Sequence, residues 1–165
     1  MKFKYRPVDM DFLERAPVRF VNEVELDASA TDVFTIFEDA EAWPEWIKLI
    51  VKVEWTSPKP YGVGTTRIVK GSFLTVNEYF FVWQQNKRFA FYFTEASLPL
   101  FKAFAEDYRL ENLGDNRCKF IYTVCLEPIF LMRLGGSLVL KFYDQLFQKV
   151  TKNLAEYIRC KNAQA

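Results

Sequence analysis

Glu106 is the side chain in this sequence best placed to do chemistry. Along Ala103–Asn112 alternate residues share one face of a strand. Phe104, Tyr108 and Leu110 fall together, and Glu106 falls with them. A carboxylate on an apolar face anchors a ligand or works as an acid or base with a raised pKa. The other reading is a carboxylate near the sheet end, paired with Arg or Lys or wet. Tyr122 shares a face with Phe120, Val124 and Leu126. With Tyr108 it could orient a carbonyl or hydroxyl of a ligand, or it is a core aromatic whose hydroxyl has found a partner.

What is missing limits the chemistry further. The chain has 0 His, which removes Ser-His, Cys-His and His-metal schemes. Catalysis would have to use carboxylates, tyrosines, lysines or a bound cofactor. No catalytic motif is visible, and nothing calls for a cofactor or a metal. Asp9 and Asp11 do not make a metal site alone. Gly62 and Gly64 mark a turn, because no Gly-Lys-Ser/Thr follows them. Arg67 reads as an exposed strand arginine, though it could reach an anionic ligand. Ala105, Asp107, Arg109 and Glu111 read as solvent-facing.

These residues need a frame. The 165 residues suit one domain, with 1–17 as an extension and 18–165 as the body. Pro7 and Pro17 bracket a short helical turn near Asp9–Arg15. From Arg19 to Leu26 the pattern alternates as a half-buried strand. Asp27-Ala-Ser-Ala-Thr-Asp32 offers N-caps for a helix carrying Val33, Phe34 and Phe37. A second short helix runs from about Glu41 to Ile47, with Trp43 and Trp46 packing it onto the sheet. Strands are expected at Ile50–Trp55, Thr65–Val69, Leu74–Gln84, Arg88–Glu95, Ala103–Asn112 and Arg117–Glu127. The last four are joined as hairpins at Gln85–Lys87 and Leu113–Asn116. Val139, Tyr143, Leu146, Val150, Leu154 and Tyr157 recur at helical spacing. They predict an amphipathic helix over Ser137–Arg159, roughly 33 Å long.

Short links make the last six strands an antiparallel meander. One helix must then cover its apolar face, and a curved sheet under a single helix leaves a gap. The 17 Phe, 8 Tyr and 4 Trp supply rigid walls for such a gap. Phe89, Phe91 and Phe93 form an inner stripe, and Phe104 extends it. Tyr143, Leu146 and Val150 are the helix residues expected to face the stripe.

Composition also narrows the partners. Lys+Arg 22 against Asp+Glu 21 leaves a net +1 with no basic stripe, so nucleic acid is not expected. No apolar run approaches the ~20 residues of a bilayer span. Met1-Lys-Phe-Lys-Tyr-Arg6 lacks the apolar core of a signal peptide, so a cytoplasmic location is expected. Cys118 and Cys125 lie on opposite faces of one strand, about 20 Å apart. They and Cys160 are expected as reduced thiols. The sequence leaves the oligomeric state open.

Glu25-Leu-Asp-Ala-Ser-Ala-Thr-Asp-Val-Phe34 followed by Trp43-Pro-Glu-Trp46 resembles the opening of the polyketide cyclase/START-like (SRPBCC, Bet v 1-like) superfamily. Tyr61-Gly-Val-Gly-Thr-Thr-Arg67 is similar to its turn between the second and third strands. Trp83 and Lys87-Arg-Phe-Ala-Phe91 are similar to its central hairpin. The resemblance runs from about Val18 to the C-terminus. It implies an α+β helix-grip fold: a seven-stranded curved antiparallel sheet, two short helices and a long C-terminal helix around a ligand cavity. It carries no substrate, because fold is not function.

Three functions stay open at this point. The chain binds a hydrophobic or aromatic small molecule such as a lipid, isoprenoid or polyketide-like compound. Or it is a cyclase/dehydratase-type enzyme using Glu106 with Tyr108 or Tyr122. Or it is a protein-interaction module. The connections Leu98–Phe101 and Ile129–Met132 are unusually apolar for loops. A meander brings them to one end of the sheet. Leu98, Phe101, Phe130 and Met132 are therefore the expected mouth, with contact to a membrane surface or a partner through these loops.

Overall fold

The computed structural model describes residues 2–130 and 136–164. In chain order the elements are β1 (Phe3–Lys4), α1 (Met10–Arg15), β2 (Val18–Leu26), α2 (Ala30–Glu38), α3 (Trp43–Trp46), β3 (Ile50–Trp55), β4 (Thr66–Gly71), β5 (Thr75–Gln84), β6 (Arg88–Ala96), β7 (Phe101–Gly114), β8 (Arg117–Pro128) and α4 (Gly136–Asn162). The sheet runs β2-β8-β7-β6-β5-β4-β3, with β1 paired to β6 off that path. Every pairing is antiparallel. This is the expected helix-grip architecture, a curved sheet with short helices and one long helix.

Local signals account for the helices. Ser29 caps α2, its hydroxyl accepting from the Asp32 amide at 3.1 Å. Pro44 sits in the first turn of α3, where no amide hydrogen is needed. Helix α4 is longer than the sequence pattern suggests, 27 residues and roughly 40 Å. Its buried stripe is Phe147, Val150, Thr151, Leu154 and Ile158, all in the C-terminal two-thirds. The N-terminal third, including Leu138 and Phe142, is exposed. The helix thus seals one side of the sheet and stands off the other. Asn153 ties it to α3 by donating to the Trp46 carbonyl at 3.0 Å.

The first seventeen residues do more than extend the chain. The β6–β7 ladder stops at Tyr92↔Ala105, and beyond that point the strands diverge. Residues 3–6 enter the gap. The Tyr5 amide donates to the Thr94 carbonyl on one side, and the Arg6 amide donates to the Lys102 carbonyl on the other. Backbone groups that divergence would leave unpaired are thereby satisfied. Helix α1 then lays Phe12 and Leu13 over Ala90, Ala103, Ala105 and Cys125 on the outer face of the sheet.

This cover corrects one expectation. Ala105 and Asp107 are buried rather than solvent-facing. Strand parity assigned their face correctly, but that face is not bare. The Asp107 carboxylate meets Arg88 at 2.8 and 3.0 Å and Arg109 at 2.8 Å, so it is buried with its charge compensated. Arg109 and Glu111 are exposed, as expected. Cys118 and Cys125 do lie on opposite faces, Cys118 in the main core and Cys125 under α1. All three cysteines are free.

Leu13→Ala should therefore act on the far side of the sheet from the cavity. It should cost roughly 2–4 kcal/mol in guanidinium unfolding, as a buried leucine deletion does. Because Leu13 roofs Cys125, the variant should also make Cys125 react with a thiol reagent under native conditions. In the parent protein only the exposed Cys160 should react fast. An unchanged labelling pattern with unchanged stability would mean α1 does not cover the sheet in solution.

Candidate functional site

Between the sheet and α4 lies a cavity of about 410 Å³. Its wall comes from alternate residues of neighbouring strands, because only one parity of each strand faces inward. β4 contributes Arg67 and Val69, and β5 contributes Val76 and Glu78. β6 gives Phe91 and Phe93, β7 gives Glu106 and Tyr108, and β8 gives Tyr122. Helix α4 closes it with Leu146, Phe147 and Val150. Most of this surface is aliphatic or aromatic.

Lys48, Ser72, Lys149 and Asn153 stand at its opening, and the buried polar groups gather on the sheet side. Register sets Arg67 directly across from Glu78, Phe91 across from Glu106, and Tyr108 across from Tyr122. Arg67 is 2 % exposed, and its Nε donates to the Glu78 carboxylate. Its guanidinium carbon lies 4.2 Å from the Trp43 ring centre, 4.9 Å from Phe91 and 5.1 Å from both Trp55 and Phe80. Four π-faces and one carboxylate therefore surround a cation that is almost fully buried. The Arg67 Nη1 has no hydrogen-bond partner among the described residues.

Glu106 sits beside this pair. The Tyr108 hydroxyl donates to its carboxylate at 2.8 Å, and the Tyr122 hydroxyl stands close by. Glu106 lies deep in the interior yet keeps some accessible surface, and that surface faces the cavity. Burial, reinforced by the charge of Glu78, pushes its carboxyl up to about 7; the two tyrosines and Arg67 pull the other way. Burial also raises Glu78, with Arg67 opposing. Burial and the Glu106 charge hold Tyr108 and Tyr122 well above the ordinary phenol range, so both stay protonated donors. Near neutral pH Glu106 can thus accept a hydrogen bond or donate one. No group of three or more His, Cys, Asp or Glu that could hold a metal occurs among the described residues.

Of the residues singled out from sequence, Phe91, Phe93, Glu106, Tyr108, Tyr122, Leu146 and Val150 meet around this cavity. Phe89 lies behind it, between Phe34, Phe37 and Tyr108. Phe104 stacks on Phe93 at 4.2 Å from the side away from the space. Tyr143 and Phe101 line a second hollow of about 270 Å³ near the start of α4.

The expected mouth is displaced. Loops 71–75 and 96–101 do lie at one end of the sheet, since Val76 pairs with Ala96. The register Phe101↔Pro128 brings the end of β8 there too. But Leu98, Phe101 and Phe130 do not border the cavity, and Met132 lies outside the described residues. The opening is rimmed by Lys48 and Leu49 after α3, Ser72 and Phe73 in the β4–β5 turn, and Lys149 and Asn153 on α4. Tyr5 explains the difference. Its hydroxyl donates to the Leu98 carbonyl at 2.9 Å and accepts from the Leu100 amide at 3.1 Å. The 96–101 loop is thereby tied to Tyr5, with Phe101 buried in the core and Leu98 left exposed away from the cavity.

Three site residues were missed or misread. Arg67 is a buried cation, not an exposed strand arginine. Glu78, its partner, was not singled out. Trp43 is part of the site because its ring packs on the guanidinium. The alternation Val76, Glu78, Phe80 carries the signal for Glu78, and Arg67 with Val69 carries the signal for Arg67. The run Tyr79-Phe-Phe-Val82 hides the parity of β5, because a register shift falls between Phe80 and Val82.

With this geometry in view, the comparisons bear on the whole domain. Residues 17–159 match the family described as Polyketide cyclase / dehydrase and lipid transport. An uncharacterised protein of Mycobacterium tuberculosis is 41% identical over 160 residues, spanning 96% of this chain and 95% of the relative. Among solved structures, one from Thermus thermophilus superposes with a TM-score of 0.71 at 16% identity, covering 87% of this chain and 99% of that one. A START superfamily protein from Mycobacterium smegmatis gives 0.68 at 16%, covering 88% and 97%. Ginseng major latex-like protein 151 gives 0.66 at 12%, covering 85% and 96%. At such identities these structures share the fold.

The raised Glu106 pKa has a thermodynamic sign. A carboxyl whose folded pKa lies above its unfolded value stabilises the fold below the unfolded pKa. That contribution is lost as pH rises through the folded value. Glu106 should thus remove stability between pH 4.5 and about 7, on the order of 1–3 kcal/mol. Glu106→Gln keeps the shape and removes the ionisation. Guanidinium unfolding at pH 5 and pH 8 should give a smaller pH difference for the variant; an identical slope would place Glu106 in water. Arg67→Met alone strands a buried carboxylate and should cost about 3–5 kcal/mol, whereas Arg67→Met with Glu78→Met should recover much of that. A double variant no more stable than the single one would contradict the pair as described.

Proposed function

We propose that this chain, which belongs to the polyketide cyclase/dehydrase and lipid transport family, binds a hydrophobic or aromatic small molecule in the cavity under α4. The ligand class is lipid-, isoprenoid- or polyketide-like. Its apolar body lies against Phe91, Phe93, Leu146 and Val150. Its oxygen-bearing end meets Glu106, Tyr108 and Tyr122. The observation that carries this reading is the contrast within one space: walls mainly apolar, with the buried hydrogen-bonding groups gathered on the sheet side. Pockets of this kind take the ligand's body by burial and fix its orientation with a few polar contacts. A volume of about 410 Å³ falls within the roughly 300–1,000 Å³ usual for such sites.

The groups available favour a hydroxyl or carbonyl over a cationic end. Tyr108 and Tyr122 are protonated donors, Arg67 is a fixed cation, and Glu106 is near its midpoint at neutral pH. An alcohol or phenol can donate to ionised Glu106, and a carbonyl can accept from its protonated form. An ammonium could not accept from any of these donors.

The same near-neutral carboxyl supports a second reading, acid–base catalysis of a cyclisation or dehydration. An acid or base works best with a pKa near the working pH. Glu106 would move the proton, with Tyr108 or Tyr122 orienting the carbonyl. That reading requires turnover that disappears in Glu106→Gln while the fold persists.

Binding is tested with freshly purified protein by native mass spectrometry and with 2-naphthol by fluorescence titration. A co-purified small molecule or saturable naphthol binding is expected. Val150→Trp should abolish it by filling the cavity, and Glu106→Gln should weaken it about tenfold, the loss of one hydrogen bond to a charged group. Neither a bound molecule nor naphthol binding, or binding indifferent to Val150→Trp, would sink the reading.

A further inference from the structure

The cavity opens at one end of the sheet, and the surface around that opening is unlike the rest of the molecule. Phe73, at the tip of the β4–β5 turn, is 83 % exposed. Beside it Leu49 is exposed, its carbonyl accepting from the Ser72 amide at 2.9 Å. Across the opening, α4 carries Leu138, Phe142 and Leu146 four residues apart, so they form one stripe. Leu146 lines the cavity. Its neighbours up the stripe, Phe142 at 63 % and Leu138 at 78 %, face solvent. The apolar lining therefore continues out of the cavity onto the surface on both sides of the opening. Two exposed phenylalanines and two exposed leucines around one mouth are more than scattered surface hydrophobics.

Lysines gather at this end as well. Lys48 and Lys149 rim the opening. Lys70 lies one residue before the end of β4, and Lys141 flanks Phe142 on α4. None of these four lysines makes a salt bridge among the described residues. The chain as a whole is only +1; Lys119 pairs with Glu23, Arg117 with Glu25 and Arg6 with Glu127, while Lys4, Lys59, Lys87, Lys152 and Lys161, like the four at the mouth, make no salt bridge among the described residues. Unmatched lysines ringing exposed phenylalanines complement a surface that is anionic outside and apolar just beneath. A bilayer containing anionic lipid has that profile.

We infer that the mouth of the cavity docks on an anionic lipid bilayer: Phe73, Leu138 and Phe142 enter the interfacial region and Lys48, Lys70, Lys141 and Lys149 contact headgroups. Docked this way, the opening faces the apolar layer, and a ligand passes between bilayer and cavity without crossing water. The role of the opening as a ligand path rests on the binding reading above, whereas docking itself does not. No described helix is long and apolar enough to cross a membrane; the contact is peripheral.

The test uses the full chain and sedimentation with vesicles of phosphatidylcholine alone or of phosphatidylcholine with phosphatidylglycerol. Binding to the anionic vesicles is expected, at least about tenfold weaker on phosphatidylcholine alone and weakened by added salt. Leu138→Ser with Phe142→Ser touches neither the polar cluster nor the cavity lining. It should reduce vesicle binding about tenfold while the circular dichroism spectrum and 2-naphthol binding stay as in the parent. Four results would each overturn the inference: no binding to anionic vesicles, equal binding to both vesicle types, undiminished binding by the double variant, or a stable dimer in sedimentation equilibrium that this variant dissolves. The last would assign the face to a second copy of the chain. Val150→Trp separates the two proposals, since it blocks the cavity and should leave vesicle binding intact. Docking without naphthol uptake would count against the ligand, and naphthol uptake without docking against the surface.

Discussion

A buried cation, Arg67, constrains the interior of this domain. Moving a guanidinium out of solvent is costly unless charge and polarisable surface replace what water supplied. Here Glu78 supplies the charge from the facing position of the next strand, and Trp43, Trp55, Phe80 and Phe91 supply the π-faces. These neighbours come from four elements, α3, β3, β5 and β6. Trp43 requires α3 to lie where it does. Trp55 comes from the edge strand β3, and its indole donates to the Glu38 carbonyl at the end of α2 at 3.1 Å. The pair cannot shift without disturbing two helices and four strands. Such pairs add little net stability, but removing one partner is expensive. The arrangement therefore specifies one geometry more than it strengthens it.

That geometry reaches Glu106 through the low-dielectric interior. Burial does most to raise the Glu106 carboxyl and the Glu78 charge adds to it, while the two tyrosine hydroxyls and then Arg67 lower it. The balance leaves Glu106 poised near neutrality. The two tyrosines cannot resolve this by ionising, because the same burial and the same negative charge hold them protonated. The cluster thus keeps one group able to change its protonation state, and that group borders the cavity.

Much of the frame was legible from the sequence because it rests on short-range periodicity. Alternation along β7 put Glu106 and Tyr108 on the inner face, and helical spacing put Leu146 and Val150 on the side of α4 that meets it. What escaped depends on pairing between distant segments. Asp107 was assigned to the outer face correctly, but that face is buried because residues 3–15 return across β6–β8, and no local pattern announces it. Leu98 and Phe101 looked like a mouth because apolar loops attract that reading. Tyr5, from the far end of the chain, ties that loop down instead. Arg67 and Glu78 each look ordinary alone, and only register makes them neighbours. Their inward parity was visible in Val69 and in Val76 with Phe80. The rule that charged residues face water competed with that parity and prevailed.

The position of α4 converts these constraints into a usable space. If its apolar stripe ran the full length, the helix would close on the sheet and leave a packed core at ordinary interior density. The buried stripe begins at Phe147, and the apolar residues of the N-terminal turns, Leu138 and Phe142, face solvent rather than the sheet. On the sheet side, Glu78, Glu106 and the tyrosine hydroxyls would be poorly served by a helix of Leu and Val packed against them, since buried polar groups need hydrogen-bond partners. Both sides of the gap therefore stay apart, the helix because its first apolar residues face away from the sheet and the sheet because of its polar groups. An occupant that is apolar along its length and carries oxygen at one end satisfies both sides at once. The cavity follows from the same residue choices that would let it bind.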